Sequence, residues 1–263
     1  MQYKIGTSGY SYKDWEGVFY PADLPQGQKL DYYAAHFNTV EINSTYYNIP
    51  NPAVFYHLNR KTPDNFEFIV KTHRGTTHER KDNAQSMKSL FAAIAPIIES
   101  GKFHGFLAQF PYSFKNTPAS RDYLRQTKEL SGEFPLFVEF RNWTWNRPEI
   151  FDFLQQNEIG YVNVDEPRLR GLLPPQNIAT TGIAYVRFHG RNQQNWWEGT
   201  NETRYDYLYS DAELKEWIDR LSALLQKSLK TYIFFNNHPK GKAIENVRSL
   251  VRLLEQRSGI LKK

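Results

Sequence analysis

The sequence predicts a (β/α)8 barrel of the TIM type with parallel strands. Three observations carry that prediction. Eight short runs rich in β-branched and aromatic residues alternate with helical segments along the chain. Several of these runs become polar at alternate positions near their ends, as in Leu136-Phe137-Val138-Glu139-Phe140-Arg141 and Tyr185-Val186-Arg187-Phe188-His189. Strand side chains alternate between two faces, so one face packs while the other carries charge, as expected at the carboxyl-terminal rim of a barrel. The length of 263 residues matches the roughly 250 typical of this fold, and residues 1–263 read as a single barrel domain.

The elements follow in order. A first strand at 3–6 enters directly from the N-terminus, and a helix over 30–37 precedes a second strand at 39–43. A helix over 52–60 leads to the third strand at 67–71. Residues 83–99 carry Met87, Leu90, Phe91, Ile94 and Ile98 at three- and four-residue spacing, the mark of an amphipathic helix. A fourth strand at 105–109, a helix over 121–130 and a fifth strand at 136–140 come next. The helix over 148–156 has Pro148 in its first turn, where a missing N–H does no harm. After the sixth strand, 161–164, the connection 166–181 contains Pro167, Gly171, Pro174 and Pro175, and an irregular loop is expected to replace a helix there. The seventh strand is 184–188. Ser210-Asp211-Ala212-Glu213 forms a capping box that opens a helix to Leu225, and the eighth strand, 232–235, is followed by a last helix over 243–256.

Composition narrows the chemistry. With 40% hydrophobic and 16% aromatic residues there is ample material for a core. The absence of cysteine excludes disulfides, thiolate metal sites and cysteine nucleophiles. No basic segment followed by a long apolar run stands at the start, so no membrane partner and a cytoplasmic location are expected. A net charge of +5 and a pI near 9.1 favour anionic partners.

Candidate functional residues gather at the predicted strand ends. Gly6-Thr7-Ser8-Gly9-Tyr10 flanks hydroxyl side chains with glycines, letting backbone approach a ligand near Ser8 and Tyr10. Strand two directs Glu41 and Asn43 inward, a pair suited to sugar hydroxyls or a metal, with Glu41 equally suited to a buried ion pair with an arginine of another strand. Strand three contributes Lys71 and His73, with His78 following. Lys71 reads as an imine-forming amine if uncharged, or as a binder of phosphate or carboxylate if nearby carboxylates hold it charged; the second reading is favoured. Strands five to seven add Glu139, Arg141, Asp165, Arg187 and His189. Three carboxylates (Glu41, Glu139, Asp165) then face three cations (Lys71, Arg141, Arg187), an interleaving that opposes a multi-metal cluster, requires no cofactor and leaves room for a single divalent metal. The segment Asn236-Asn237-His238-Pro239-Lys240-Gly241 before the last helix is the best anion-site candidate, since barrels often bind phosphate near strands seven and eight. Aromatics crowd the loop after strand seven around Arg191: Trp196, Trp197, Tyr205, Tyr207 and Tyr209. Most of these rings are expected to hold the loop as a small satellite core.

The motifs Gly6-Thr7-Ser8-Gly9-Tyr10, Glu41-Ile42-Asn43-Ser44-Thr45-Tyr46-Tyr47, Lys71 with Thr77-His78, Gln109-Phe110-Pro111, Glu139-Phe140-Arg141, Tyr185-Val186-Arg187-Phe188-His189-Gly190 and Asn236-Asn237-His238 together resemble the YecE-like family, domain of unknown function 72. The resemblance runs through nearly the whole chain and implies a TIM-type barrel without supplying a reaction. Tyr10 departs from it, standing where tryptophan is usual and keeping an aromatic wall. The barrel type is also similar to the sugar isomerase and endonuclease IV group, a likeness of architecture alone.

These readings combine into one expectation: an enzyme acting without a metal cluster on an anionic, phosphorylated and hydroxylated small molecule, with the reaction class open among hydrolase, lyase and isomerase. Glu139 and His189 are expected to transfer protons, with Asp165 orienting a cation or the histidine and Lys71, Arg141 and Arg187 holding or polarising the anion. Gln109, Asn236, Asn237 and His238 complete the expected binding set with Lys240 and Gly241. The alternative partner is nucleic acid, bound or cleaved through basic rim loops and aromatic stacking.

Overall fold

Eight strands form one sheet in the order β1-β8-β7-β6-β5-β4-β3-β2, every neighbouring pair parallel. The computed structural model describes residues 2–257. The strands are β1 (Gln2–Thr7), β2 (Thr39–Ile42), β3 (Glu67–Lys71), β4 (Phe103–Gln109), β5 (Leu136–Glu139), β6 (Ile159–Asp165), β7 (Ile183–Phe188) and β8 (Lys230–Phe235). The helices are α1 (Lys29–His36), α2 (Pro52–Arg60), α3 (Asn83–Glu99), α4 (Pro118–Leu130), α5 (Pro148–Gln156), the short α6 (Asn201–Arg204), α7 (Asp211–Lys227) and α8 (Lys242–Arg257). This is the (β/α)8 barrel the alternation predicts. Among the described residues no helix is long and apolar enough to cross a membrane.

Local signals explain several boundaries. The Ser210 capping box forms as read, the hydroxyl accepting from Glu213 N–H while the Glu213 carboxylate accepts from Ser210 N–H. Helix α4 starts three residues earlier than its apolar spacing suggested, because Thr117 caps it and Pro118 occupies its first turn. Residues 166–182 form no helix, as their prolines predict. Side chains of β6 secure this stretch instead: Asn163 both donates to and accepts from the Ile178 backbone, and Thr180 Oγ1 accepts from Tyr161 N–H and donates to the Ile159 carbonyl.

Inside the barrel, a middle layer is made by buried side chains that include Ile69, Leu107, Phe137, Val162, Tyr185 and Phe234. Aromatic rings meet across it, Phe137 with Tyr185 at 4.9 Å and Tyr185 with Phe234 at 5.4 Å between centroids. Room for Phe137 depends on Gly160 opposite it on β6, where an added Cβ would lie 2.6 Å from the ring. Below this layer, at the amino-terminal floor, Glu67 gathers Lys4 at 3.3 Å, Lys230 at 2.9 Å and the Tyr232 hydroxyl, with His104 at 4.0 Å.

The ring closes between β1 and β2, and it does so in an unusual way. One backbone bridge, Ser8 with Glu41, joins the two strands at their upper ends, supported by Gly9 N–H donating to the Glu41 carbonyl. Lower down, the buried Tyr33 hydroxyl from α1 stands between the strands, accepting from Thr7 N–H at 3.0 Å and donating to the Thr39 carbonyl at 3.2 Å. Glycine at position 6 permits this approach, since a Cβ there would meet the Thr39 carbonyl at 2.4 Å.

Candidate functional site

At the carboxyl-terminal rim the inward positions carry an alternating chain of charges. Glu41 from β2 accepts from Arg187 Nη2 of β7 at 2.6 Å; Arg187 Nη1 reaches Glu139 Oε2 of β5 at 2.5 Å; Glu139 Oε1 lies 2.7 Å from Arg141 Nη2; and Arg141 Nη1 reaches Glu166 Oε2 at 3.1 Å. The order is therefore carboxylate, guanidinium, carboxylate, guanidinium, carboxylate, all essentially buried. Tyr185 donates to the second Glu41 oxygen at 2.6 Å, Ser8 Oγ accepts from Arg187 at 3.3 Å, and Leu173 N–H donates to Glu166. Every carboxylate in the chain thus holds at least one further donor, the condition under which buried charges are tolerated.

Electrostatics separates the members. Burial alone would raise Glu139, but Arg141, Arg187 and His189 outweigh it and hold that carboxyl well below the usual range. Glu166, at the end with one guanidinium neighbour, is pushed up by burial to about 7. His189 is fully buried, and burial with the adjacent Arg141 pushes it down to about 3, so its imidazole is neutral near pH 7. Its Nδ1 accepts from the Asn236 amide at 3.1 Å, which leaves the ring proton on Nε2 to be donated to Glu139 Oε1 at 3.1 Å.

Above this chain lies a cavity of about 540 Å³. Lys71, Arg141 and Arg187 reach its wall together with the amides of Asn43, Gln109 and Asn236 and the imidazoles of His78 and His238. Aromatic side chains make most of the rest: Tyr12, Tyr46, Tyr47, Tyr112, Trp196, Trp197 and Tyr205. Lys71 differs from the other two cations. Its Nζ donates to Gln109 Oε1 at 3.0 Å and sits 4.6 Å from the centre of the Tyr46 ring, and among the described residues it has no ion-pair partner. Burial, then repulsion from Arg187, lowers it to about 7 despite Glu139 and Glu41. Burial also lowers His78 and His238 to about 4. Asn43 Oδ1, on the same wall, is buried without a hydrogen-bond partner.

Several expected residues stand elsewhere. Glu139 and His189 lie behind the cavity wall, screened from it by the two arginines that Glu139 holds. Asp165 faces away from the lumen: it accepts from Arg191 at 2.9 and 2.8 Å, from Tyr209 OH at 2.8 Å and from Trp217 Nε1 of α7 at 2.7 Å. The register explains this. Asp165 pairs with the outward Phe188 while Val164 pairs with the inward Arg187, so the next inward position is Glu166. Tyr10 packs on Tyr33 and leaves the wall to Tyr12, which stacks on His238 at 4.2 Å. His73 accepts from Gly75 N–H and stabilises its own turn, and Asn237 is tied to Tyr207 and Asn246.

The expected phosphate site at Lys240 and Gly241 is filled by the protein's own carboxylates. Asp14 accepts from Lys240 N–H at 2.6 Å, and Asp206 takes the ammonium groups of Lys240 at 2.8 Å and Lys242 at 2.6 Å. Gly241 is pressed against Val18, with an added Cβ only 2.7 Å away. The loop aromatics divide. Tyr207 and Tyr209 bind Glu213 and Asp165 as the satellite core predicts, whereas Trp196, Trp197 and Tyr205 face the cavity. Arg191 is held by Asp165 and Glu216 rather than presented to a ligand.

Tyr12, Tyr46 and Tyr112 on the cavity wall, and the buried Glu166 at the end of the charge series, lie outside the candidate set read from the sequence. For Glu166 a signal existed: Val162 and Val164 continue the apolar inward face toward position 166, once β6 is read from its first residue. Among the described residues no group of three or more histidine, aspartate and glutamate side chains is arranged to hold a metal ion.

Comparison with known proteins agrees with the fold and with the family resemblance. Residues 4–263 match the model of the family described as protein of unknown function DUF72. The UPF0759 protein YunF of Bacillus subtilis is 32% identical across 95% of this chain and 94% of its own length. The UPF0759 protein YecE of Escherichia coli is 31% identical over 43% of this chain and 41% of its own. Among solved structures, a DUF72 family protein from Thermotoga maritima superposes with a TM-score of 0.89 at 42% identity, covering 97% of this chain and all of that one. One from Enterococcus faecalis gives 0.85 at 26% identity over 97% of this chain and 96% of its own. With the family model spanning nearly every residue and a relative matched along almost its full length, this chain belongs to the DUF72 family.

Proposed function

We propose that the rim cavity binds an anionic, hydroxylated small molecule and carries out proton-transfer chemistry on it. One observation carries this reading: three cations from the barrel rim converge on an aromatic-lined hollow that Arg204 and Glu202 of α6 also line, and one of the three, Lys71, has no ion-pair partner among the described residues. The cavity volume falls within the range of small-molecule sites. Lys71 would meet the anionic group directly, with the outer faces of Arg141 and Arg187 adding positive potential. Asn43, Gln109 and Asn236 offer amides for hydroxyls, and Asn43 Oδ1 is an acceptor without a donor of its own. Tyrosine and tryptophan rings supply flat apolar surface for a sugar or a planar ring.

The geometry supports a positioning role for Glu139 and His189. Both lie behind the wall: Glu139 holds Arg141 and Arg187, and His189 donates to Glu139. Lys71 replaces them as the proton-transfer group, because it touches the cavity and lies near neutrality. An arriving dication would have to displace guanidinium groups from Glu139 or Glu166 at low dielectric, which favours metal-free chemistry. Thermal unfolding with sugar phosphates, nucleoside monophosphates and inorganic phosphate tests the proposal. A saturable rise in Tm exceeding that from potassium chloride at equal ionic strength is expected, and Lys71→Met should abolish it. A flat response to every phosphate ester would overturn it. Tyr47, Tyr112 and Trp197 are 58%, 38% and 49% exposed at the cavity mouth, the observation that favours nucleic acid as the second reading; salt-sensitive retention on immobilised single-stranded DNA would support that partner.

A further inference from the structure

Lys71 is placed to do more than hold an anion. We propose that its Nζ forms a Schiff base with the carbonyl group of an anionic substrate, which makes the substrate class an aldehyde or ketone that also bears a phosphate or carboxylate. This deepens the reading of the same cavity and rests on it.

The geometry meets the requirement for imine chemistry, an amine that is uncharged when it attacks. A lysine inside an ionic barrel would ordinarily be kept protonated by the nearest carboxylate. Here the nearby carboxylates are engaged elsewhere: Glu41 is held by Arg187 and Tyr185, and Glu139 by Arg187, Arg141 and His189. What remains beside Nζ is the Gln109 amide oxygen, which orients it without adding charge, and the face of Tyr46. The charged and titratable groups facing it from the surrounding strands and turn are Glu41, Glu139, Arg141, Arg187 and His78, and burial with the arginines lowers the amine to about 7. Protonated Lys71 and the two guanidinium groups meet the substrate's anionic group on arrival; once the amine gives up that proton, the guanidinium groups keep the anion and the amine lone pair faces the carbonyl carbon.

The step balances without any other reagent. The Nζ lone pair forms the C–N bond as the carbonyl π pair moves to oxygen, and a proton passes from nitrogen to that oxygen. The resulting carbinolamine takes one proton from solvent, releases water and leaves a protonated imine.

Pyridoxal 5′-phosphate, an aldehyde carrying a phosphate and a planar ring, is a suitable probe. The protein would be treated with it at pH 7, reduced with sodium borohydride and mapped by peptide mass spectrometry. Lys71 is expected to be labelled at least about tenfold faster than the exposed Lys13, because an amine lowered to about 7 is about half unprotonated at pH 7, far more than an unperturbed lysine. Inorganic phosphate should slow Lys71 labelling and leave Lys13 unaffected. Lys71→Arg should keep the phosphate-induced rise in Tm and lose the adduct at position 71. If phosphate raises Tm while Lys71 is labelled no faster than Lys13, the imine fails and the anion site stands. If neither response is seen, both readings fall.

Discussion

Two buried ionic clusters sit at opposite ends of the same barrel. At the floor, two lysines, a tyrosine hydroxyl and a histidine converge on the single carboxylate of Glu67. At the rim, three carboxylates and two guanidiniums alternate, and a further cation, Lys71, stands beside the chain facing a cavity. Burial of charge is common to both, so burial does not mark a site. The difference is that floor donors are used within the protein, while the rim leaves an amine and several amides directed into open space. A fold that needed only neutrality would not place there a lysine that, among the described residues, lacks an ion-pair partner.

The largest effect expected from breaking this comparison follows removal of the central rim cation. Arg187→Met leaves Glu41 without a charged partner among the described residues and Glu139 with Arg141 alone, and the loss should be about 3–5 kcal/mol by denaturant titration. Glu67→Gln at the floor keeps the Tyr232 contact and should cost less, about 1–3 kcal/mol. Equal losses would mean that the rim chain is no more interdependent than the floor.

A second, intermediate effect is the response to acid. His189 at about 3 and His78 and His238 at about 4 are neutral in the folded protein below pH 6.5, where the unfolded chain protonates them. The unfolded state therefore binds more protons, and stability falls as pH drops from 6.5 toward 4. Glu166, raised to about 7, acts the opposite way between pH 7 and 4.5, since its folded form holds a proton the unfolded one releases. Three imidazoles against one carboxyl give a net fall, read as a declining Tm between pH 6.5 and 4.5; a rising Tm would contradict the neutral histidines.

The smallest effect on stability should come from Lys71→Met. Removing an amine that has no ion-pair partner among the described residues, at nearly constant volume, should change stability at pH 7 by less than about 1 kcal/mol and can raise it. A loss as large as that of Arg187→Met would show that Lys71 is structural.

Strand and helix placement was legible because each depends on local spacing: α2, α3 and α5 start and stop where the periodicity predicts. Inward and outward faces were legible for β5 and β7, where Glu139, Arg141, Arg187 and His189 alternate with Val138, Phe140 and Phe188. They were not legible for β6. Asn163 and Asp165 look like inward polar residues, but both serve the outer layer, one securing the loop after β6 and the other binding Trp217 of α7. Nor could the strand-eight anion site be judged from its own residues. Asp14 and Asp206, which fill it, lie far away in sequence, and only folding shows that the charge of Lys240 and Lys242 is already met. Tyr10 and Tyr12 differ by two positions, and the turn between them decides which ring faces the cavity.

The hydroxyl standing between β1 and β2 makes closure of the barrel depend on a side chain along part of its seam. Where other strand pairs must unzip a ladder to separate, this pair is clasped by Tyr33 below and by the Ser8–Glu41 bridge above. Both members of that bridge also touch Arg187. Spreading the clasp and loosening the grip on the rim guanidinium are therefore a single mechanical event, and the door of this barrel hangs on the same residues that tension its interior.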